Sequence, residues 1–293
     1  MNECRICPRE CGADRGTHPG YCGAWNRAHI ARAALHFWEE PPISGTRGSG
    51  AVFFSGCNLS CVFCQNYQIN HAMVGKETDA QGLADWMLNL QAQGAHNINL
   101  VTPAPHVPLL LHAIPLAKKM GLAIPIVYNT NAYEKVETLR ALDGLVDVYL
   151  PDLKYVSSAI SQKYSGAPDY FAFAAPAVGE MFRQCGLLTL DEQGIARRGV
   201  IVRHLVLPGS VDETRRVLNY LAGVYPRELT ISLMSQYAPI SRQLPKPLDR
   251  KLLKREYDRA VEHCILCGFE NVFTQKTASA TLDYTPEFHG IVI

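Results

Sequence analysis

Cys57, Cys61 and Cys64 lie in the segment FFSGCNLSCVFCQN at a C-x3-C-x2-C spacing, directly after an apolar run that reads as a strand. Three thiolates on one short loop leave a tetrahedral structural zinc site one ligand short, so a distant residue would have to complete it. The same three thiolates can hold three irons of a [4Fe-4S] cluster and leave the fourth iron open to a non-protein ligand. The spacing therefore favours a substrate-accessible iron–sulfur cluster, with zinc completed from elsewhere as the alternative.

A second group, Cys4, Cys7, Cys11 and Cys22, follows a C-x2-C-x3-C-x10-C pattern among prolines and glycines that permit tight turns. Four thiols suffice to close a tetrahedral site, which points to Zn or a rubredoxin-like Fe at these N-terminal cysteines. A second, electron-relaying cluster, unligated thiols or a regulatory disulfide are the other readings. Cys264 and Cys267 fall three apart on a helical pattern and share one face. They read as buried thiols packed against the core, with a redox dithiol or auxiliary ligation as the alternative. Cys185 stands alone and reads as core.

The rest of the composition narrows the setting. In 293 residues, 28 Lys and Arg balance 27 Asp and Glu for a net charge of +1, so nothing drives binding to the phosphates of nucleic acid. The hydrophobic share of 47% is that of a folded globular chain. No apolar run reaches the length of a membrane span, and the N-terminus lacks the apolar stretch of a secretory signal, so a soluble, cytoplasmic protein is expected. In that reducing compartment cysteines serve as ligands or free thiols more readily than as disulfides.

These thiols need a scaffold, and its period is legible. Apolar runs at 51–56, 98–103, 123–130, 146–153, 200–208 and 229–236 lack strict alternation, as strands covered on both faces do. Amphipathic helical patterns occupy 79–93, 107–120, 135–142, 170–185, 211–225 and 248–267, with Gly94, Gly121 and Gly268 placed to end three of them. Six β/α units in series predict an α/β fold with a parallel sheet, either doubly wound or closing into a partial (β/α)6 barrel. The segment 188–194 reads as a small hairpin before the fifth strand. Residues 1–50 carry no clear helix or strand pattern and are expected to form a short cysteine-rich N-terminal metal-binding lobe ahead of a 51–293 catalytic domain.

The triad, with Phe63 before its last cysteine, resembles the signature of the radical S-adenosylmethionine enzymes, in which this loop follows the first strand of a partial (β/α)6 barrel. That resemblance implies S-adenosyl-L-methionine chelated at the open iron and cleaved by one electron to methionine and a 5′-deoxyadenosyl radical, which abstracts hydrogen from a substrate. It also implies an electron donor such as flavodoxin or ferredoxin. Further segments are similar to the branch of the pyruvate formate-lyase activating enzyme: YNTNAY at 128–133, YLPDLKY at 149–155 and VIVRHLVLPG at 200–209. On this likeness Asp152, Lys154 and Arg203 are placed at the cofactor, together with Asn129 and Thr130. The branch's G-G-E-P segment is replaced by LVTPAPH, which puts Thr102, Pro103 and Ala104 in the corresponding place, and Ala132 stands where the turn usually has glycine. The pattern looks most like the uncharacterised subgroup named after that activating enzyme, whose substrate could be a glycine position of a partner protein.

Several residues have a plainer reading as well. Asp152 and Lys154, two apart at a strand end, could form a structural ion pair. Arg203 lies in an apolar strand and needs a partner or a ligand. His204 faces the other way and reads as a satisfied core histidine. His106 suits cofactor contact and a loop position equally, and Ser235, Gln236 and Tyr237 end the sixth strand near the expected substrate opening. The competing function is an iron–sulfur or zinc electron-transfer or scaffold protein without its own catalysis, which would need neither the D-x-K pair nor the arginine.

Overall fold

The computed structural model describes residues 3–70, 72–241, 243–275 and 288. In chain order the elements are β1 (Ala28–His36), α1 (Pro41–Ser44), β2 (Ser49–Phe54), α2 (Tyr67–Asn70), β3 (Lys76–Thr78), α3 (Ala80–Ala92), β4 (Ile98–Val101) and α4 (Val107–Lys119). Then come β5 (Ile126–Thr130), α5 (Val136–Arg140), β6 (Val148–Pro151), α6 (Ser158–Ser165), α7 (Tyr170–Cys185) and β7 (Thr189–Leu190). The series ends with β8 (Ala196–Leu205), α8 (Val211–Val224), β9 (Thr230–Met234), α9 (Lys254–Leu266) and β10 (Val272–Thr274).

The strands form one mixed sheet in the order β10-β9-β8-β6-β5-β4-β2-β1-β3, with β7 hairpinned onto β8. Every pairing from β2 through β10 along that order is parallel, whereas β1 runs antiparallel to β2, and β3 antiparallel to β1. Alternate residues of each strand leave on opposite faces. Val52, Phe54, Leu100, Tyr128, Tyr149 and Val202 join the large core that contains the buried sides of α3, α4, α5, α7, α8 and α9. On the opposite face Val127, Val148, Leu150 and Ile201 gather around Ile43, while Ala51, Phe53 and Val101 pack with Ile69 and Phe288. Both faces are covered, and that is why these strands read as unbroken apolar runs rather than alternating ones.

The six expected strands and six expected helices are all present, as is the hairpin. Beyond these, the structure adds the short α1, α2 and β3 and three further elements that the sequence did not announce. Residues 28–36, inside the stretch read as patternless, are a nine-residue strand paired with β2 from Ile30 opposite Phe54 to His36 opposite Ser49. Its sequence AHIARAALH is rich in alanine, a weak strand former, so partner pairing rather than local preference makes it a strand. The short polar helix α6, with Ser157 capping the Ile160 N–H, and the edge strand β10 also lacked a clear period. Cys264 is buried as expected, but Cys267 is only half-buried, its thiol 3.7 Å from the Asn219 amide oxygen. Among the described residues no helix is long and apolar enough to cross a membrane.

Candidate functional site

The C-terminal ends of the parallel strands surround a cleft of about 230 Å³, lined by Cys57, Cys61, Cys64, Thr102, Asn129, Thr130, Asp152, Lys154 and Arg203 but not by Pro103, Ala104 or His106. Cys57, Cys61 and Cys64 come from the loop after β2, Thr102 follows β4, and Asn129 and Thr130 end β5. Asp152 and Lys154 follow β6, and Arg203 lies near the end of β8. Residues nearly 150 positions apart converge because parallel strands deliver all their C-terminal ends to one edge. A larger cavity of about 540 Å³ is bounded by Pro41, Gly45, His96, Ile195 and Phe273, and its one ionisable group, His96, already accepts a hydrogen bond from Arg47.

The thiol loop is supplied with hydrogen-bond donors. The Leu59 N–H lies 3.5 Å and the Asn131 amide 3.4 Å from the Cys57 sulfur, and the Ser165 hydroxyl is 3.0 Å from that of Cys61. Asn131 in turn donates to the Asn58 side chain, whose amide reaches the Tyr133 carbonyl, tying the loop to the turn after β5. Burial pushes all three thiols up, Cys64 to about 12, because a lone thiolate would be poorly solvated there. Among the described residues no three Cys, His, Asp or Glu side chains converge around a single ion. A four-iron cluster does not ask for that, since each thiolate binds a different iron. Three sulfurs facing one cleft with N–H donors around them fit such a cluster.

Opposite the thiols lies a chain of alternating charge. Lys154 Nζ is 2.7 Å from Asp152 Oδ2, Arg203 Nε is 2.9 Å from Asp152 Oδ1, and Arg203 Nη1 is 3.2 Å from Glu39 Oε2. Arg203 Nη2 also donates to the side-chain amide oxygen of Asn129. Burial alone would raise Asp152, but Arg203 and Lys154 outweigh it and hold the carboxyl below its usual range. Burial disfavours the Lys154 and Arg203 charges, yet Asp152 keeps both cations more firmly protonated than usual. The Tyr170 hydroxyl fixes this turn by donating to the Asp152 carbonyl at 2.6 Å and accepting from the Lys154 N–H at 3.1 Å. Thr130 donates to Glu134, a carboxyl that burial lifts to about 7 and that also accepts from the Tyr128 hydroxyl.

The two departures from the glycine-bearing pattern share a backbone feature: Thr102 has φ +60° and Ala132 φ +61°. Left-handed backbone costs a residue with a Cβ roughly 1–2 kcal/mol. The path is therefore one that glycine adopts freely, held here by the Thr102 N–H on the Asn129 carbonyl and the Ala132 N–H on the Thr130 hydroxyl. Ala132→Gly is expected to leave the melting temperature nearly unchanged, because relief of that strain is offset by the ~0.5–1 kcal/mol of backbone freedom that glycine adds to the unfolded chain and the ~0.8 kcal/mol of its buried methyl. Thermal denaturation checks this, and a large drop in melting temperature would show that the left-handed backbone carries no strain.

The N-terminal segment leans on the thiol loop. Arg9 donates to the carbonyls of Asn58 and Gly166, both at 2.8 Å, and its guanidinium lies 4.3 Å from the Tyr21 ring. The Tyr21 hydroxyl meets Ser60 at 2.8 Å, and Arg15 donates to the Pro105 carbonyl at 2.6 Å. The sulfurs of Cys11 and Cys22 both approach Gly20, and burial, with the nearby Cys22 and Cys4, pushes Cys7 up to about 11. The N-terminal sulfurs are thus neighbours, although among the described residues no three of them gather around a single point.

His106 is buried, stacked on Phe54 and 3.0 Å from the Ser55 carbonyl, so it packs beneath the cleft rather than lining it. His204 bonds the Leu153 carbonyl and Thr214, as a satisfied core histidine does. Gln236 lines the cleft and Tyr237 is buried behind it. Sequence reasoning missed Glu39, Asn131 and Gln65, which also line the cleft. Adjacent acids in EEPP and one more asparagine in YNTNAY carry no period or spacing of their own, and only the fold brings them here.

No family model matches the chain. Over 273 residues it is 28% identical to an uncharacterized protein of Methanocaldococcus jannaschii, covering 89% of this chain and 74% of that protein. Among solved structures it is similar to native anSMEcpe with bound AdoMet, with a TM-score of 0.50 and 13% identity over 75% of this chain and 61% of that one. Methylornithine synthase (PylB) gives a TM-score of 0.47 and 14% identity over 89% and 74% of the two chains. A domain of a pyruvate-formate lyase-activating enzyme from Bacteroides vulgatus gives 0.43 and 14% over 59% and 94%. The chain thus shares with AdoMet-bound anSMEcpe a mixed α/β fold built on a parallel sheet.

Proposed function

We propose that this protein is a radical S-adenosylmethionine enzyme that abstracts hydrogen from its substrate, with glycyl-radical activation of a partner protein as the reaction its motifs most resemble. The observation that carries this reading is the convergence of three cysteines and the Asp152–Lys154–Arg203 group on one cleft at the strand C-terminal ends. An electron carrier or scaffold would need the thiols but not a buried charged wall facing them. The helices α3, α4, α5, α7, α8 and α9, which connect the parallel strands, all bury their apolar sides in the core on one face of the sheet, which favours a partial barrel over a doubly wound sheet.

Cys57, Cys61 and Cys64 would hold the [4Fe-4S] cluster, which when bound supplies one-electron reductive cleavage of S-adenosylmethionine. Lys154 and the unused N–H groups of Arg203 are cations suited to a carboxylate or to ribose oxygens. Asn129, Thr130 and the backbone at Thr102 border the same space. Leu59, Phe63, Val101 and Met234 supply the apolar lining that keeps water from a reactive radical. Anaerobic reconstitution with iron and sulfide, then reduction with dithionite in the presence of S-adenosylmethionine, should give 5′-deoxyadenosine. A correctly loaded cluster that yields none would favour electron transfer.

Cys4, Cys7, Cys11 and Cys22 we assign to a second metal site with a structural role, supported by their spacing and by the contacts of Arg9 with the thiol loop. Replacing all four with alanine is expected to remove that metal and lower the melting temperature while the catalytic cluster still assembles. Metal analysis and thermal melting test it, and an unchanged metal content with an unchanged melting temperature would show these thiols to be unligated.

A further inference from the structure

Glu39 lies far outside every motif, on the connection between β1 and α1, yet its side chain is only 11% exposed and lines the cleft. Both of its oxygens are used as acceptors. Oε1 receives the Asn99 amide at 2.9 Å and the Asn129 amide at 3.3 Å, and Oε2 receives Arg203 Nη1 at 3.2 Å. Arg203 passes the constraint on to Asp152, and Asp152 to Lys154. Two carboxylates and two cations therefore alternate in a buried row that ends beside the thiol loop. Without Glu39, Arg203 loses a salt-bridged carboxylate and draws harder on Asp152, the carboxylate that Lys154 also needs, with the buried Glu40 as the remaining nearby acid.

We propose that Glu39 is a positioning residue that fixes Arg203, and through Asp152 the ammonium of Lys154, and so sets the charge and geometry facing the cysteine cluster. This rests on the reading of the cleft as a cluster and S-adenosylmethionine site for its second test only. The contacts make Glu39→Gln a sharp variant. An ionised carboxylate is acceptor-only, whereas an amide of the same shape must point its NH2 group at either the two asparagine donors or the arginine, leaving donors face to face. Asn99→Ala is the second variant, because Asn99 holds Glu39 but is absent from the cleft lining.

The first measurement uses the full chain without a cluster: hydrogen exchange of the Arg203 Nε–H, followed by NMR. Protection in the wild type should fall at least tenfold in Glu39→Gln and by less in Asn99→Ala. The second uses reconstituted protein. Removing a negative charge beside a cluster favours its reduced form, so the midpoint potential should shift upward in Glu39→Gln, and S-adenosylmethionine should bind several-fold more weakly at unchanged cluster content. A merely structural role would lower the melting temperature and leave the potential and affinity of the folded fraction untouched. Wild-type exchange protection in Glu39→Gln would overturn the proposal, as would a wild-type potential together with wild-type affinity. Failure of the wild type itself to bind S-adenosylmethionine would instead count against the function proposed above, with the exchange measurement still deciding the role of Glu39.

Discussion

Replacing Cys57, Cys61 and Cys64 together with alanine is expected to abolish the cluster's spectroscopic signature and reduce 5′-deoxyadenosine formation to background. The three thiols are the cysteines that line the cleft, and burial keeps each protonated until a metal displaces the proton. The loop itself should survive, because Asn58, Asn131 and Arg9 hold it through bonds that need no sulfur. The variant should therefore remain folded, and its melting curve is the control that separates loss of ligands from loss of structure. Retained turnover in a folded triple variant would sink the assignment of these residues as cluster ligands.

Asp152→Ala is expected to destabilise the fold by about 3–5 kcal/mol, the cost of leaving buried charges without their partner. Asp152 is the shared acceptor of Lys154 and Arg203, all three side chains being less than a fifth exposed. Lys154→Ala should cost less, since Asp152 keeps Arg203, while weakening S-adenosylmethionine binding by about 1.5–3 kcal/mol if Lys154 contacts the cofactor. The pH dependence has a definite sign. Asp152 has a folded-state value depressed by its two cations, so its stabilisation is fully present above the ordinary aspartate range, near 3.9, and fades as pH falls through the lower folded value. Asp152→Asn should flatten the acid limb of the stability curve, and denaturant titrations over that range measure it. An acid limb of wild-type steepness would show that the pair contributes nothing to the linkage.

Local chemistry decided much in advance. Cys57, Cys61 and Cys64 announce themselves because metal ligation demands a few residue types at fixed intervals, and β2, β4, β5, β6, β8 and β9 do so because strands covered on both faces must be apolar throughout. The D-x-K pair and Arg203 were legible through their likeness to the activating-enzyme branch, and Arg203 also because charge in an apolar strand requires compensation. Tertiary structure alone decided what that compensation is: Arg203 meets Asp152, Glu39 and Asn129, from three different parts of the chain. It alone made 28–36 a strand, since alanine-rich sequence becomes β structure only against a partner such as β2. It alone set Thr102 and Ala132 in left-handed backbone, a conformation their own side chains disfavour and their neighbours' hydrogen bonds enforce. Spacing along the chain records chemistry within one loop or one period, whereas contacts across the sheet edge depend on strand order, which leaves no local mark.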